Sequence, residues 1–211
     1  MRIRASIVVL LLSAATLTAC ASTAAPESSG STPSASGAAT PSASSMPTPT
    51  PTPTVDSDDP STWVITDDGM GPIVLGDPFS DAVALMPEGT TNDSANCGWT
   101  AWWNAADQSY QVYAARASDA SADGPVIDVT TASWNDPSAV DGPHTAEGIG
   151  VGSTVDEVRA AYPGVTELPD AIDPSIVHLQ QGRIFFTYRE NPVITEITVT
   201  TADAPPYELC G

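Results

Sequence analysis

Two segments of the chain share an apolar spacing that is typical of a short amphipathic helix. Residues 73–87 and 149–163 align position by position, and apolar residues recur every three or four positions in both. This spacing puts them on one face of a helix of about two to three turns. Asp77 and Ser153 stand where an N-cap is expected, and a proline closes each segment. The sequence therefore predicts two related helices, which indicates a duplication.

Three stretches rich in β-formers follow each predicted helix. This order predicts an α+β fold, in which a duplicated α-β-β-β unit forms one antiparallel sheet with the short helices on one face. Joining the two units edge to edge would remove an exposed sheet edge. We expect one globular domain at 62–211, with repeats at about 62–136 and 137–211. The predicted strands are 98–104, 110–116 and 126–134, then 175–180, 183–190 and 193–201.

Residues 149–158 follow the pattern hydrophobic-x-hydrophobic-Gly-x-Thr/Ser-x-x-Glu-Val. This short motif, with its weaker counterpart in the first helix segment, resembles the repeat of the β-lactamase-inhibitory-protein-like and outer-membrane-lipoprotein (SmpA/OmlA) families. The resemblance implies tandem repeats that form a continuous curved sheet whose concave aromatic face binds a protein. No inhibitor contact residue aligns with this chain, so none is carried over.

The N-terminus has the layout of a secretory signal. Arg2 and Arg4 precede an apolar stretch at residues 7–17, which is shorter than the roughly 20 residues that cross a bilayer. Residues 17–20, Leu-Thr-Ala-Cys, resemble the lipobox of bacterial lipoproteins. That resemblance implies removal of a signal peptide at 1–19 and attachment of diacylglycerol to Cys20. The chain would then be lipid-anchored on the extracytoplasmic face of the cell membrane. An ordinary signal peptide with a chance cysteine is the alternative.

Residues 20–61 form a Ser/Thr/Pro/Ala-rich segment that predicts a disordered linker. Such a composition lacks the apolar surface that would offset the entropy of ordering. Pro and Thr alternate strictly over residues 47–54, which favours an extended polyproline II spacer at about 3.1 Å per residue. A spacer of this kind holds a domain away from the membrane, and its threonines are plausible glycosylation targets.

The composition is strongly acidic, with 26 Asp and Glu against six arginines and no lysine. The net charge of −20 excludes nucleic acid as a partner, because phosphates need basic contacts. The acids are scattered, which is typical of a solvated surface. We expect no cofactor and no metal site.

With Cys20 lipidated, Cys97 and Cys210 remain. An isolated pair outside the cytoplasm usually oxidises, so we expect a Cys97–Cys210 disulfide that ties the C-terminus to the middle of the domain. A redox or metal pair is the alternative, but no CxxC motif or histidine cluster supports it.

Several aromatic residues cluster in the predicted strands, and exposed rings on a sheet are good anchors for a partner. Since helices cover only one face of the sheet, some of these rings should lie on the other face. Core packing is the alternative for each ring. The candidate binding face comprises Trp99, Trp102, Trp103, Tyr110, Tyr113, Phe185, Phe186 and Tyr188.

No catalytic constellation is visible in the sequence. His144 falls in a predicted turn and His178 in a predicted strand, without a second metal ligand nearby. Ser153 lies in no nucleophile-elbow motif. We therefore predict that the chain is not an enzyme but a non-catalytic binding or scaffold lipoprotein of the cell envelope, with an envelope protein or a wall glycan as partner. The alternatives are an inhibitor of a secreted enzyme and a hydrolase that acts on the cell wall.

Overall fold

The computed structural model describes residues 55–137 and 140–210. All of them belong to one compact unit, Thr50–Gly211. The predicted signal peptide, Cys20 and the linker up to residue 54 lie outside the described residues. Among those that are described, no helix has the length and apolar character needed to cross a membrane.

Ordered contacts begin ahead of the predicted domain boundary. Asp56 accepts a 2.8 Å hydrogen bond at its backbone carbonyl from the indole nitrogen of Trp63, which is fully buried. A single 3₁₀ turn, Pro60–Thr62, lies between them. The end of the predicted linker is therefore part of the globular fold.

Eleven strands and two α-helices make up the described fold. In chain order they are β1 (Val64–Thr66), β2 (Gly69–Met70), β3 (Ile73–Val74), α1 (Phe79–Leu85), β4 (Thr100–Asn104), β5 (Gln111–Arg116), β6 (Val126–Ala132), β7 (His144–Thr145), α2 (Val155–Ala161), β8 (Thr166–Pro169), β9 (Val177–Gln181), β10 (Ile184–Tyr188) and β11 (Glu196–Thr200).

Seven strands form an antiparallel sheet in the order β4-β5-β6-β11-β10-β9-β8. Each of the six predicted strands overlaps a strand of this sheet, whereas β8 was not predicted. The centre is the pairing of β6 with β11, where Thr130 lies opposite Thr198. The coarse α+β class is confirmed, since the described residues form two sheets with two short helices.

The expectation of one sheet is wrong, because β1, β2, β3 and β7 form a second, four-stranded sheet. Its strands have only two or three residues, too few to show an alternating pattern in sequence. The turn after β2 needs glycine: Gly71 has φ +56, and a Cβ there would lie 2.4 Å from the ring of Trp63.

Both helices begin differently from the sequence-based expectation. Helix α2 is capped by Thr154, not Ser153, in a capping box where Thr154 and Glu157 exchange side-chain and backbone hydrogen bonds. Ser153 instead accepts a hydrogen bond from the Gly150 amide. Helix α1 starts after Pro78 and lacks a side-chain cap, so Asp77 does not cap it.

The two faces of the seven-stranded sheet have different roles. Ala114, Val129 and Val199 lie in register across neighbouring strands and belong to the hydrophobic core. The buried residues of both helices, such as Phe79 and Val158, join the same cluster. Because side chains alternate along a strand, the intervening positions point to the opposite face, which the helices do not cover. This opposite face carries the candidate site.

Candidate functional site

The opposite face, here called the outer face, is polar along its centre. It carries Tyr113 of β5, Thr130 of β6 and Thr198 of β11 in one row. The next row includes Glu196 of β11 and Thr187 of β10, which are direct partners. Sheet faces of this kind usually meet solvent, yet Thr130, Thr187 and Thr198 are buried. Another part of the chain must therefore cover them.

On this side lies the C-terminal segment, residues 202–210, here called the C-terminal strap, whose residues 205–210 line one pocket together with Thr187. A disulfide between Cys97 and Cys210 fixes its end, with 5.7 Å between the two Cα atoms, as the sequence predicted. The indole nitrogen of Trp99 donates a 2.6 Å hydrogen bond to the carbonyl of Leu209. Pro205 is buried within the strap. The strap is thus held at its far end by covalent and polar contacts.

A pocket of about 410 Å³ lies between the strap and the outer face. This volume falls in the range of small-ligand sites, roughly 300–1,000 Å³. Its lining is part aromatic and part charged, a combination that can hold an apolar body and orient a polar group. The aromatic residues are Trp102, Tyr113, Trp134 and Tyr207, and the ionisable ones include Asp170, His178, Arg189, Glu196 and Glu208.

The eight aromatic residues of the candidate binding face do not form one surface. Only Trp102 and Tyr113, which are direct partners on β4 and β5, line the pocket. Trp99 is occupied in holding the strap. Phe185 lies on the outer side, beside His178, but is fully buried.

The remaining four lie in or against the core. Trp103 and Tyr110 meet edge to face, with 5.8 Å between ring centroids. Phe186 is fully buried and stacks on Tyr162, and Tyr188 is half-buried against the core cluster. These rings pack in or against the core, and none of the four lines the pocket.

Two pocket aromatics were missed by sequence reasoning. Trp134 is 69% exposed and Tyr207 is 46% exposed. The alternation of β6 could have indicated Trp134, since it has the same parity as Asp128 and Thr130, which lie on the outer face. Tyr207 gives no such signal, because its position depends on where the strap returns to the sheet.

A continuous polar chain crosses the two central strands beside the pocket. Thr130 Oγ1 lies 3.0 Å from Oδ1 of Asp128 and 2.9 Å from Oγ1 of Thr198. The hydroxyl of Thr198 lies 3.2 Å from Oε1 of Glu196. Two carboxyl groups are therefore joined through two threonine hydroxyls. Asp128 is only 1% exposed, whereas Glu196 is half-buried and lines the pocket.

Burial raises the pKa values of both acids in this hydrogen-bonded series. Loss of solvation raises the pKa of Asp128 to about 7, although the contact with Thr130 acts in the other direction. Burial also raises the pKa of Glu196, and it raises the pKa of Tyr113 well above its ordinary value. Oδ2 of Asp128 is buried and makes no hydrogen bond of good geometry with the described residues, although the hydroxyl of Thr200 on the neighbouring strand also lowers the pKa of Asp128.

At the other end of the pocket, His178 lies between a hydroxyl and a carboxylate. Its Nδ1 is 2.9 Å from Oγ1 of Thr187, and its Nε2 is 3.4 Å from Oδ2 of Asp170. Burial lowers the pKa of His178 more than Asp170 raises it, so the ring is neutral at pH 7. Backbone N–H groups, first that of Asp173, lower the pKa of Asp170, which keeps it ionised.

The other candidate histidine lies elsewhere. His144 belongs to β7 in the small sheet, is exposed, and has Nδ1 3.3 Å from the carbonyl of Gly142. Within residues 55–137 and 140–210, no group of three or more His, Cys, Asp or Glu side chains could hold a metal ion. No protein family, curated protein or solved structure matches the chain.

Proposed function

We propose that this chain is a bacterial lipoprotein that presents a non-catalytic binding domain on the extracytoplasmic face of the cell membrane. Residues 1–19 would be removed as a signal peptide, and diacylglycerol on Cys20 would hold the protein at the membrane. The lipobox-like residues 17–20 support the anchor. The Cys97–Cys210 disulfide is in keeping with an oxidising compartment outside the cytoplasm.

The ligand site of this domain is the pocket under the C-terminal strap, and one observation carries that proposal. Trp134 and Tyr207 keep large apolar surfaces exposed at a pocket whose strap wall is held by a disulfide. Aromatic rings at the rim of a pre-formed pocket are typical anchors for a partner. The partner is an envelope protein or a wall glycan that inserts one group into the pocket.

A catalytic role is not favoured by the trio of Thr187, His178 and Asp170. A hydroxyl nucleophile needs donors aimed at the oxyanion that forms when it attacks. Thr187 lies within β10, between β9 and β11, so the sheet ladders take up the backbone groups of its strand. The trio is better explained as a buried, hydrogen-bonded link between β9, β10 and the loop after β8.

A second candidate function is inhibition of a secreted enzyme, and the mirrored strand order favours it. Helix α1 precedes β4, β5 and β6, and helix α2 precedes β9, β10 and β11, with the two sets meeting at β6 and β11. We interpret this as the duplicated α-β-β-β unit expected from the repeat, and the resembling inhibitor family binds its target on such a sheet.

Binding through the pocket is tested with the chain that starts at residue 21. All residues of the described hydrophobic core lie between Trp63 and Val199, so this chain retains the whole core. Immobilised protein is incubated with envelope extract and with insoluble wall material. A Trp134→Ala variant should lose most of the bound material, whereas Leu85→Ala, exposed on α1, should behave like the unaltered chain.

The outcomes separate the candidate functions. One stoichiometric enzyme partner, itself inhibited by the chain, supports the inhibitor function. Retention on insoluble wall supports a glycan ligand. Equal binding by the Trp134→Ala variant would show that the pocket is not the site. Turnover of wall material that disappears in a His178→Ala variant would contradict the non-catalytic proposal.

A further inference from the structure

Asp128, Thr130, Thr198 and Glu196 form a hydrogen-bonded series beside the pocket. The number of protons in this series indicates how many of its two acids are charged. The three contacts, at 3.0, 2.9 and 3.2 Å, each need one proton between their oxygen atoms. A threonine hydroxyl carries a single proton. The two hydroxyls supply two protons, so the third must come from one of the carboxyl groups. When all three hydrogen bonds form, one acid is neutral and the other is ionised.

Burial decides which acid holds the proton. Asp128 is 1% exposed; Thr130 contacts its Oδ1, and its Oδ2 makes no hydrogen bond of good geometry with the described residues. Ionising a carboxyl group is costly in such a buried place. Glu196 is half-buried and opens onto the pocket, where a charge keeps part of its solvation. The protonated Asp128 therefore donates to Thr130, and the series of hydrogen bonds ends with Thr198 donating to an ionised Glu196.

We propose that the pocket binds a cationic group, a primary alkylammonium, with Glu196 as its charged partner and the aromatic rings enclosing its alkyl chain. This proposal rests on the proposed function, because it names the ligand of the same pocket. A cation over aromatic rings gains electrostatic attraction beyond the burial of its apolar atoms. Trp102, Trp134 and Tyr207 line the same pocket as Glu196 and provide such rings.

The other ionisable groups around Glu196 agree with a cationic ligand. Asp170, from the loop after β8, and Glu208, from the strap, add negative charge to the lining, and His178 of β9 is neutral. Tyr113 of β5 is also neutral, because burial raises its pKa.

Arg189, after β10, is the only cation among the described residues that line the pocket. It forms a 3.5 Å ion pair with Asp173, which does not line the pocket, and its charge also lowers the pKa of Glu196. Against this single cation stand Asp170, Glu196 and Glu208. The pocket therefore has a net negative lining, in a protein whose overall charge is −20. Long-range attraction and the local lining both select for cations.

The test uses isothermal titration calorimetry on the chain from residue 21, with its disulfide intact. The probes are spermidine, a free polyamine, and an acetylated, amidated Gly-Lys-Gly peptide, which presents a lysine side chain. The peptide with Nε-acetyllysine is the neutral counterpart. We expect at least one cationic probe to bind at pH 6.5 and the acetylated peptide to bind at least about tenfold more weakly. Tighter binding of spermidine would indicate a free polyamine as the ligand, and tighter binding of the peptide would indicate a lysine side chain of a protein.

Three variants test whether Glu196 carries the negative charge that binds the cation. Glu196→Gln keeps the size of the side chain and an acceptor for Thr198, and it should weaken binding at least about tenfold. Glu88→Gln removes one charge from an exposed loop position and should leave affinity unchanged. Asp128→Asn still supplies a donor to Thr130, so its affinity should stay within about threefold of the unaltered chain. Affinity of the unaltered chain should fall between pH 6.5 and pH 4, as Glu196 takes up a proton, whereas the Glu196→Gln variant should show no such dependence on Glu196.

The inference is overturned if neither amine binds, if the acetylated peptide binds equally well, or if Glu196→Gln retains full affinity. A larger loss of affinity in the Asp128→Asn variant than in the Glu196→Gln variant would also overturn it, because the charge would then lie on the buried acid. None of these results removes the proposed function, which depends on loss of envelope binding in Trp134→Ala. If the Trp134→Ala variant loses envelope binding although neither amine binds, the pocket binds a ligand of another chemical class.

Discussion

Replacing Asp128 with asparagine should change how the free energy of unfolding depends on pH. Burial raises the pKa of this acid from its ordinary value of 3.8 to about 7. Between these two values the folded protein holds a proton that the unfolded chain has lost. The free energy of unfolding therefore falls as pH rises through this window and becomes level above it. The shift is about 3 units, which corresponds to roughly 4 kcal/mol.

The Asp128→Asn variant removes this dependence at a fixed cost. The introduced amide can donate to Thr130 as the protonated acid does, but its second N–H has no acceptor in this buried place. An unsatisfied buried donor costs about 1–3 kcal/mol at every pH. At pH 4 the variant should therefore be less stable than the unaltered chain by about that amount. At pH 8, where the unaltered chain has lost roughly 4 kcal/mol, the variant should be more stable by about 1–3 kcal/mol.

Urea denaturation, monitored by tryptophan fluorescence, measures the free energy of unfolding of both proteins. It is repeated at half-unit steps from pH 4 to pH 8.5, and the midpoint and slope are fitted at each pH. The difference between the two proteins is the informative quantity, because it reports the titration of Asp128 together with its electrostatic coupling to Glu196. A difference that stays constant across the range would refute the reasoning. It would show that Asp128 titrates alike in the folded and unfolded states.

Four further substitutions test the fold and the anchor. Phe186→Ala should lower the free energy of unfolding by about 3–5 kcal/mol, because its ring is fully buried, and a smaller loss in urea denaturation would contradict its place in the core. Replacing Cys97 and Cys210 with alanine should cost up to about 5 kcal/mol, since the disulfide closes a sequence separation of 113, and the loss should match that of the unaltered chain after reduction. Thr154→Ala should cost about 1 kcal/mol through the lost capping box; no change in the urea midpoint would argue against that cap. Cys20→Ser should move the protein from the membrane fraction to the medium and remove the acylated terminus from its mass spectrum, and continued membrane fractionation would contradict lipid anchoring.

Local pattern predicted the elements of the large sheet well. The strands had runs of β-branched and aromatic residues between turn signals, and the helices had a spacing of three and four. Both kinds of signal arise within a few neighbouring residues, so they are visible without the fold. The strands of the small sheet, including β2 and β3, carry no such signal. They form only because the chain is brought against Trp63 and the start of the second half.

The candidate site was predicted only in part. The disulfide followed from cysteine count, and Trp102 and Tyr113 were among the expected binding residues. The sequence could not separate these two from Phe185 or Trp103, because an aromatic ring in a strand has the same pattern on either face. Asp128 and Glu196 could be recognised in the sequence only as part of a general acidic surface. Their link through two threonines depends on β6 pairing with β11, a contact between distant parts of the chain.

Local periodicity, composition and short motifs were enough to predict the class of fold, the positions of the main strands and the cysteine pair, and to lead us to expect export and a lipid anchor. Each of these features is written in neighbouring residues or in their counts. Only the packed chain decides which face of the sheet stays free of helices, and that the strap returns across it to leave a pocket. It also decides that two acids far apart in sequence are joined through two threonine hydroxyls. Burial and hydrogen-bond partners arise from contacts between distant segments, and burial is what perturbs a carboxyl group.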